Sequence, residues 1–126
     1  MFFSIKALIF FIFPCAKLLV EGGEMKLKTK VYNGIMYVLL CGELDENSAG
    51  YVRDEMDKSF ACSGFSRVII DLSELDFMDS TGIGVLIGRY KKLKDRNIPI
   101  FISNPSRHAE KIFRITGLYD IMPKII

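Results

Sequence analysis

The stretch DLSELDFMDSTGIGVLIGRYKK, residues 71–92, carries an apolar run into Asp79-Ser80-Thr81-Gly82 and from there into a helical pattern. A strand that feeds a helix through a short polar junction is the repeating unit of α/β folds, and functional residues gather at such junctions. Working outward, "RVIIDL" (67–72) reads as a buried strand, "DSTGIGVLIGRYKKLKDRN" (79–97) as a helix and "IPIFIS" (98–103) as a further buried strand. Upstream, "KLKTKV" (26–31) alternates Leu27, Thr29 and Val31 with lysines, as a half-exposed edge strand does. Tyr32-Asn33-Gly34 is turn chemistry, and "IMYVLLCG" (35–42) is a continuous apolar run suited to a central strand, so the first two strands should form an antiparallel hairpin.

After Glu43-Leu44-Asp45, Asn47 or Ser48 can cap a helix running to about Cys62, with Tyr51, Val52, Met56 and Phe60 sharing a face. A third helix starts near Pro105-Ser106 and ends at Thr116-Gly117, and "YDIMPKII" reads as a short last strand. Strands alternating with helices predict a mostly parallel sheet with right-handed crossovers and an antiparallel N-terminal edge hairpin. The fold class is α/β.

Composition narrows the function. The chain has 126 residues, enough for one ordinary domain, with 17 Lys+Arg against 15 Asp+Glu. The longest basic run, "YKKLKDR" at 90–96, is too short for the basic stripe of a nucleic-acid binder. Cys15, Cys41 and Cys62 form no CxxC pair and are odd in number, which points to a reducing, cytoplasmic setting.

Residues 1–24, "MFFSIKALIFFIFPCAKLLVEGGE", are far more apolar than the rest. A membrane span needs about 20 apolar residues in a row, and Pro14 and Lys17 split this run. A signal peptide fits better, with Lys6 ahead of Ala7 to Phe13, yet no A-x-A site follows. A third reading comes from the genetic code. Glu21-Gly22-Gly23-Glu24-Met25 can be encoded by GAA-GGA-GGT-GAA-ATG, a bacterial ribosome-binding site ahead of a start codon. The expectation is that Met25 is the true start, with residues 25–126 forming the domain.

Catalytic readings of the quoted stretch fail on their requirements. Serine hydrolysis needs a base and a G-x-S-x-G elbow, but the residues are Met78-Asp79-Ser80-Thr81-Gly82 and the single histidine, His108, lies on a later helix. A P-loop needs a lysine after its glycines, and "STGIGVLIG" has none. Asp71, Glu74, Asp76 and Asp79 read as a solvated acidic loop rather than a metal site. The ordinary reading of Asp79 or Ser80 is a helix N-cap, worth about 1 kcal/mol. Gly84 and Gly88 lie four apart on one helix face, each costing up to about 1 kcal/mol relative to Ala, so the sheet or a partner should approach that face closely. Ile83, Leu86, Ile87 and Tyr90 form an apolar stripe, mostly core, with Ile83 near enough to the helix start to be exposed.

The order of elements, with "DLSELDFMDSTGIGVLIGRYKK" followed by "ISNPSRHAEKIFRITGLYDI", resembles the STAS domain of bacterial anti-sigma-factor antagonists. The likeness runs from about Lys28 to the C-terminus; "GELD" (42–45) occupies that family's loop after the second strand, and "FMDSTGIGVLIGRYK" is nearest the sporulation type that acts on an anti-sigma-F factor. The resemblance implies a non-enzymatic, cytoplasmic binding protein that needs no cofactor, no metal, no nucleic acid and no membrane. Its partners would be an anti-sigma factor that is also a serine kinase, and a serine phosphatase. By the same resemblance Ser80 is the phosphate acceptor, and Asp79 orients its hydroxyl or contacts the kinase. Thr81, Gly82, Ile83 and Gly84 would present backbone and a small apolar patch, with Glu43 and Asp45 flanking the same end of the sheet. A stress-circuit STAS regulator and a membrane-associated STAS domain are the alternatives. Family members commonly add a helix after the last strand, which the sequence lacks after Met122-Pro123-Lys124-Ile125-Ile126.

Overall fold

The computed structural model describes residues 25–126; the reading of residues 1–24 lies outside them. Strands β1 (Lys26–Tyr32) and β2 (Ile35–Leu44) are followed by helix α1 (Ala49–Phe60), strand β3 (Arg67–Met78), helix α2 (Ser80–Lys94), strand β4 (Ile100–Ser103) and helix α3 (Arg107–Thr116). The sheet has the order β1-β2-β3-β4. β1 pairs antiparallel with β2, whereas β2 with β3 and β3 with β4 are parallel. The hairpin turns at Asn33 and Gly34, both with positive φ (53° and 76°), the backbone hand that matches strand twist and that Asn-Gly adopts readily.

One core joins the sheet to all three helices. Met36, Val38 and Leu40 of β2 and Val68, Ile70 and Leu72 of β3 pack with Val52 and Met56 of α1, Leu86 and Leu93 of α2, and Ala109 and Phe113 of α3. A nearly buried ion pair, Arg89 Nε to Asp57 Oδ1 at 3.0 Å, ties α2 to α1, with Lys92 on the other carboxylate oxygen at 3.1 Å. Cys41 is buried, and burial first, then Glu74 and Asp71, push its thiol up to about 11, which keeps it protonated and unreactive.

Three expectations change. β3 runs on to Met78, so the supposed acidic loop is strand: Asp71 is buried, its Oδ1 accepting from the Ser73 amide (2.8 Å) and hydroxyl (2.6 Å) and its Oδ2 from Asn104 Nδ2 (3.2 Å). Leu72, Leu75 and Met78 are buried at intervals of three, and the β2–β3 register slips at Leu39/Cys41 and Gly42/Glu43. These are bulges, which break the period of two that marks a strand in sequence. Tyr51 is exposed rather than on the inner face of α1. The last strand shrinks to one parallel bridge, Ile102 to Lys124, after a 3-10 turn over Leu118–Asp120.

The C-terminal segment is latched to α3 through Glu110, whose carboxylate accepts from the Tyr119 hydroxyl, Arg114 and Lys124. The Tyr119 bond first, then the two cations, outweigh desolvation and hold the Glu110 carboxyl at about 2, below its usual 4.5. A depressed folded-state pKa gives stability that is complete above the unfolded value and lost as pH falls through the folded one. Between about pH 4.5 and pH 2 the wild-type melting temperature should therefore fall more steeply than that of Glu110→Gln, as read by circular dichroism melts. Parallel curves for the two proteins would remove the latch.

Candidate functional site

β2 and β3 end level with each other: Glu43 is the register partner of Phe77, and Leu44 of Met78. Both chains leave the sheet at this carboxyl end. After β2 the chain folds tightly around Asp45, whose Oδ1 accepts from the amides of Asn47 (2.9 Å) and Ser48 (3.1 Å). Ser48 Oγ donates to the Glu43 carbonyl at 2.7 Å and accepts from the Asp45 amide at 3.0 Å. Asp45 is thus engaged in holding its own loop, while Glu43 is exposed.

After β3 the Asp79 amide donates to the Leu44 carbonyl at 3.3 Å, pinning the start of α2 to the end of β2. Asp79 then caps α2, its Oδ1 accepting from the Gly82 amide at 3.0 Å. The cap is therefore Asp79 and not Ser80. Ser80 is the first helical residue, exposed, and no side-chain hydrogen bond engages its hydroxyl among the described residues. Thr81 is exposed beside it and Ile83 half-buried.

The three glycines of α2 divide by environment. A Cβ on Gly82 would lie 2.7 Å from the Leu44 carbonyl oxygen and 2.8 Å from both Leu44 Cγ and Met78 Cγ. Gly82 is therefore the close-approach residue, buried beneath the site rather than presented on its surface. A Cβ on Gly84 or Gly88 would meet nothing within 4 Å, so the sheet is not what keeps them small. Gly84→Ala should stabilise the helix by up to about 1 kcal/mol, a rise of a few degrees in melting temperature by calorimetry. A lower melting temperature would mean that Gly84 answers to the fold.

Two residues join the site that the sequence did not nominate. Phe77, 40% exposed, stacks its ring on His108 of α3 with centroids 5.3 Å apart and planes at 24°. His108 Nε2 lies 3.4 Å from the Met78 carbonyl oxygen. Ser106 caps α3, accepting from the Ala109 amide at 3.2 Å, and its hydroxyl donates to the Leu75 carbonyl at 2.7 Å, which fixes that helix start against β3. No metal-capable group of three or more His, Cys, Asp or Glu side chains occurs among the described residues.

The sheet order, the capped strand-to-helix junction and its glycine agree with what comparison finds: a model of the STAS domain matches residues 26–126. The chain belongs to the STAS family. The STAS domain is 29% identical over 100 residues to the anti-sigma F factor antagonist of Paenibacillus polymyxa, covering 79% of this chain and 86% of that protein. It is 34% identical over 85 residues to the anti-sigma-B factor antagonist of Listeria monocytogenes, covering 68% and 74%. Among solved structures, the anti-sigma factor antagonist SpoIIAA in its unphosphorylated form matches with a TM-score of 0.67 at 26% identity, over 82% of this chain and 89% of that one. Bacillus SpoIIAA in its phosphorylated form matches with a TM-score of 0.62 at 26% identity, over 82% and 92%. In the STAS domain no helix among the described residues is long and apolar enough to cross a membrane.

Of charged side chains, the two chain segments that meet at the site carry acidic ones only. The segments 31–52 and 68–88, which meet at the site, contain Glu43, Asp45, Glu46, Asp71, Glu74, Asp76 and Asp79 and no Lys or Arg. The basic side chains that open the neighbouring helix α3 are Arg107 and His108, and neither bonds to Asp79 or Ser80 among the described residues.

Proposed function

We propose that this STAS domain is an anti-sigma factor antagonist switched by phosphorylation of Ser80. Unphosphorylated, it binds a protein that is both anti-sigma factor and serine kinase and so frees the sigma factor; phosphorylated, it lets go until a serine phosphatase restores it. The observation that carries this reading is the division of labour at the start of α2: Asp79 supplies the cap, leaving the exposed Ser80 hydroxyl uncommitted. A hydroxyl serving as the cap would have to leave its bond to be modified. The likeness to SpoIIAA, solved in both phosphorylated and unphosphorylated forms, supports the same switch.

The domain acts by binding and release in the cytoplasm, as a regulator rather than an enzyme and without a cofactor. Thr81, Ile83 and Gly84 extend the contact surface around Ser80, with Glu43 and Asp79 at its acidic margin, while Asp45 and Gly82 shape it from within. Identity to antagonists named for both F-type and B-type anti-sigma factors makes a stress-type circuit the alternative setting. Incubation with the host's anti-sigma factor kinase and ATP should add one phosphate to the wild type and none to Ser80→Ala, which still binds the kinase. Phosphate on Ser80→Ala, at Thr81 or elsewhere, would overturn the assignment.

A further inference from the structure

Phe77 is a large apolar side chain left 40% exposed at the end of β3, yet its ring is fixed by the stack on His108 at 5.3 Å. His108 in turn sits 3.4 Å from the carbonyl oxygen of Met78, the residue before the Asp79 cap. Register places Glu43 of β2 next to Phe77. Glu43, Phe77 and His108 therefore form one row across β2, β3 and α3, along the strand ends that deliver Asp79 and Ser80.

We propose that this row is a second half of the partner-recognition surface, with the Phe77 ring as its anchor and His108 as the residue that positions it. The occupant is the same anti-sigma factor that meets Ser80, so the inference rests on the reading above. Continuity with the Ser80 surface is the first reason: the chain passes from Phe77 to Ser80 in three residues, and the Asp79 amide bond to Leu44 fixes their relative position. The second is energetic. Binding hot spots are enriched in large side chains, aromatic ones among them, that lose their remaining water contact on docking. A ring already held in one orientation gives up little rotamer freedom when a partner covers it. By contrast Ile115, on the same helix as His108, is 74% exposed and serves as a control.

The test uses the purified host anti-sigma factor kinase and measures its dissociation constant for Phe77→Ala, Phe77→Leu, His108→Ala, Ile115→Ala and Ser80→Asp, with a thermal melt for each. Phe77→Ala should bind about tenfold or more weakly, His108→Ala more weakly than wild type but by less than Phe77→Ala, and Ile115→Ala as wild type. Phe77→Leu keeps an apolar side chain and so preserves folding, and its binding should still fall because the stack is gone. Wild-type affinity of Phe77→Leu and Phe77→Ala alongside weak binding by Ser80→Asp would overturn this inference and leave the switch standing. Wild-type affinity of Ser80→Asp would overturn the switch itself. A wild-type dimer in sedimentation that Phe77→Leu converts to monomer would assign the row to a second copy of this chain and overturn the proposed occupant.

Discussion

Ser80→Asp should fold as well as the wild type and bind the anti-sigma factor kinase at least about a hundredfold more weakly, a loss of about 3 kcal/mol. Folding survives because Ser80 is the first residue of α2, exposed, at the helix end whose unpaired amides favour an anion. Binding fails for the complementary reason. The site is lined by Glu43 and Asp79, the two segments that meet there hold no Lys or Arg, and no basic side chain bonds to Ser80 among the described residues, so a charge placed at Ser80 is desolvated against a partner beside acidic neighbours. A phosphate, with about −1.5 to −2 charges, should act more strongly in the same direction. Isothermal titration calorimetry gives the affinity and a thermal melt the stability. A Ser80→Asp protein that melts well below wild type would replace the charge switch with a folding defect.

Gly82→Ala is expected to be the most damaging single-methyl change in the site. The added carbon would sit 2.7 Å from the Leu44 carbonyl oxygen, a backbone atom in a paired strand, and 2.8 Å from two side-chain carbons. Helix propensity returns up to about 1 kcal/mol, while overpacking costs about 1–3 kcal/mol or more, so the sum is destabilising. Lifting α2 off β2 would also stretch the Asp79 amide bond to Leu44 and move Ser80, slowing its phosphorylation. Urea denaturation should show a lower midpoint for Gly82→Ala and a higher one for Gly84→Ala, two residues away. Equal midpoints would mean that α2 can rise without cost and that Gly82 does not seat the helix.

The architecture was legible because its strands are continuous apolar runs. Residues 35–42, 67–72 and 98–103 announce themselves, and Asn33-Gly34 announces the hairpin. The second half of β3 did not, because "SELDFM" places its buried residues three apart across bulges and carries acids that look solvated. That misreading hid Phe77, since a residue assigned to a loop has no face. His108 was hidden for another reason: its stack on Phe77 joins residues 31 positions apart, and no local pattern reports such a contact. At the junction the sequence left the cap open between Asp79 and Ser80, which share the chemistry; the Asp79 carboxylate bond to the Gly82 amide assigned it to Asp79. For the glycines, spacing shows which ones share a face but not which of them touches the sheet: Gly82 does, and Gly84 and Gly88 do not.

The phosphorylation switch stands or falls on the state of Ser80 in the living cell. The decisive measurement is the intact mass of the protein, with fragmentation, taken from its native cells before and during the onset of sigma-factor-dependent transcription. A single phosphate on Ser80 beforehand, falling as transcription begins, is the predicted result. A protein that carries no phosphate on Ser80 at either time, while transcription still rises, would refute the switch and leave Ser80 as an ordinary first residue of a capped helix.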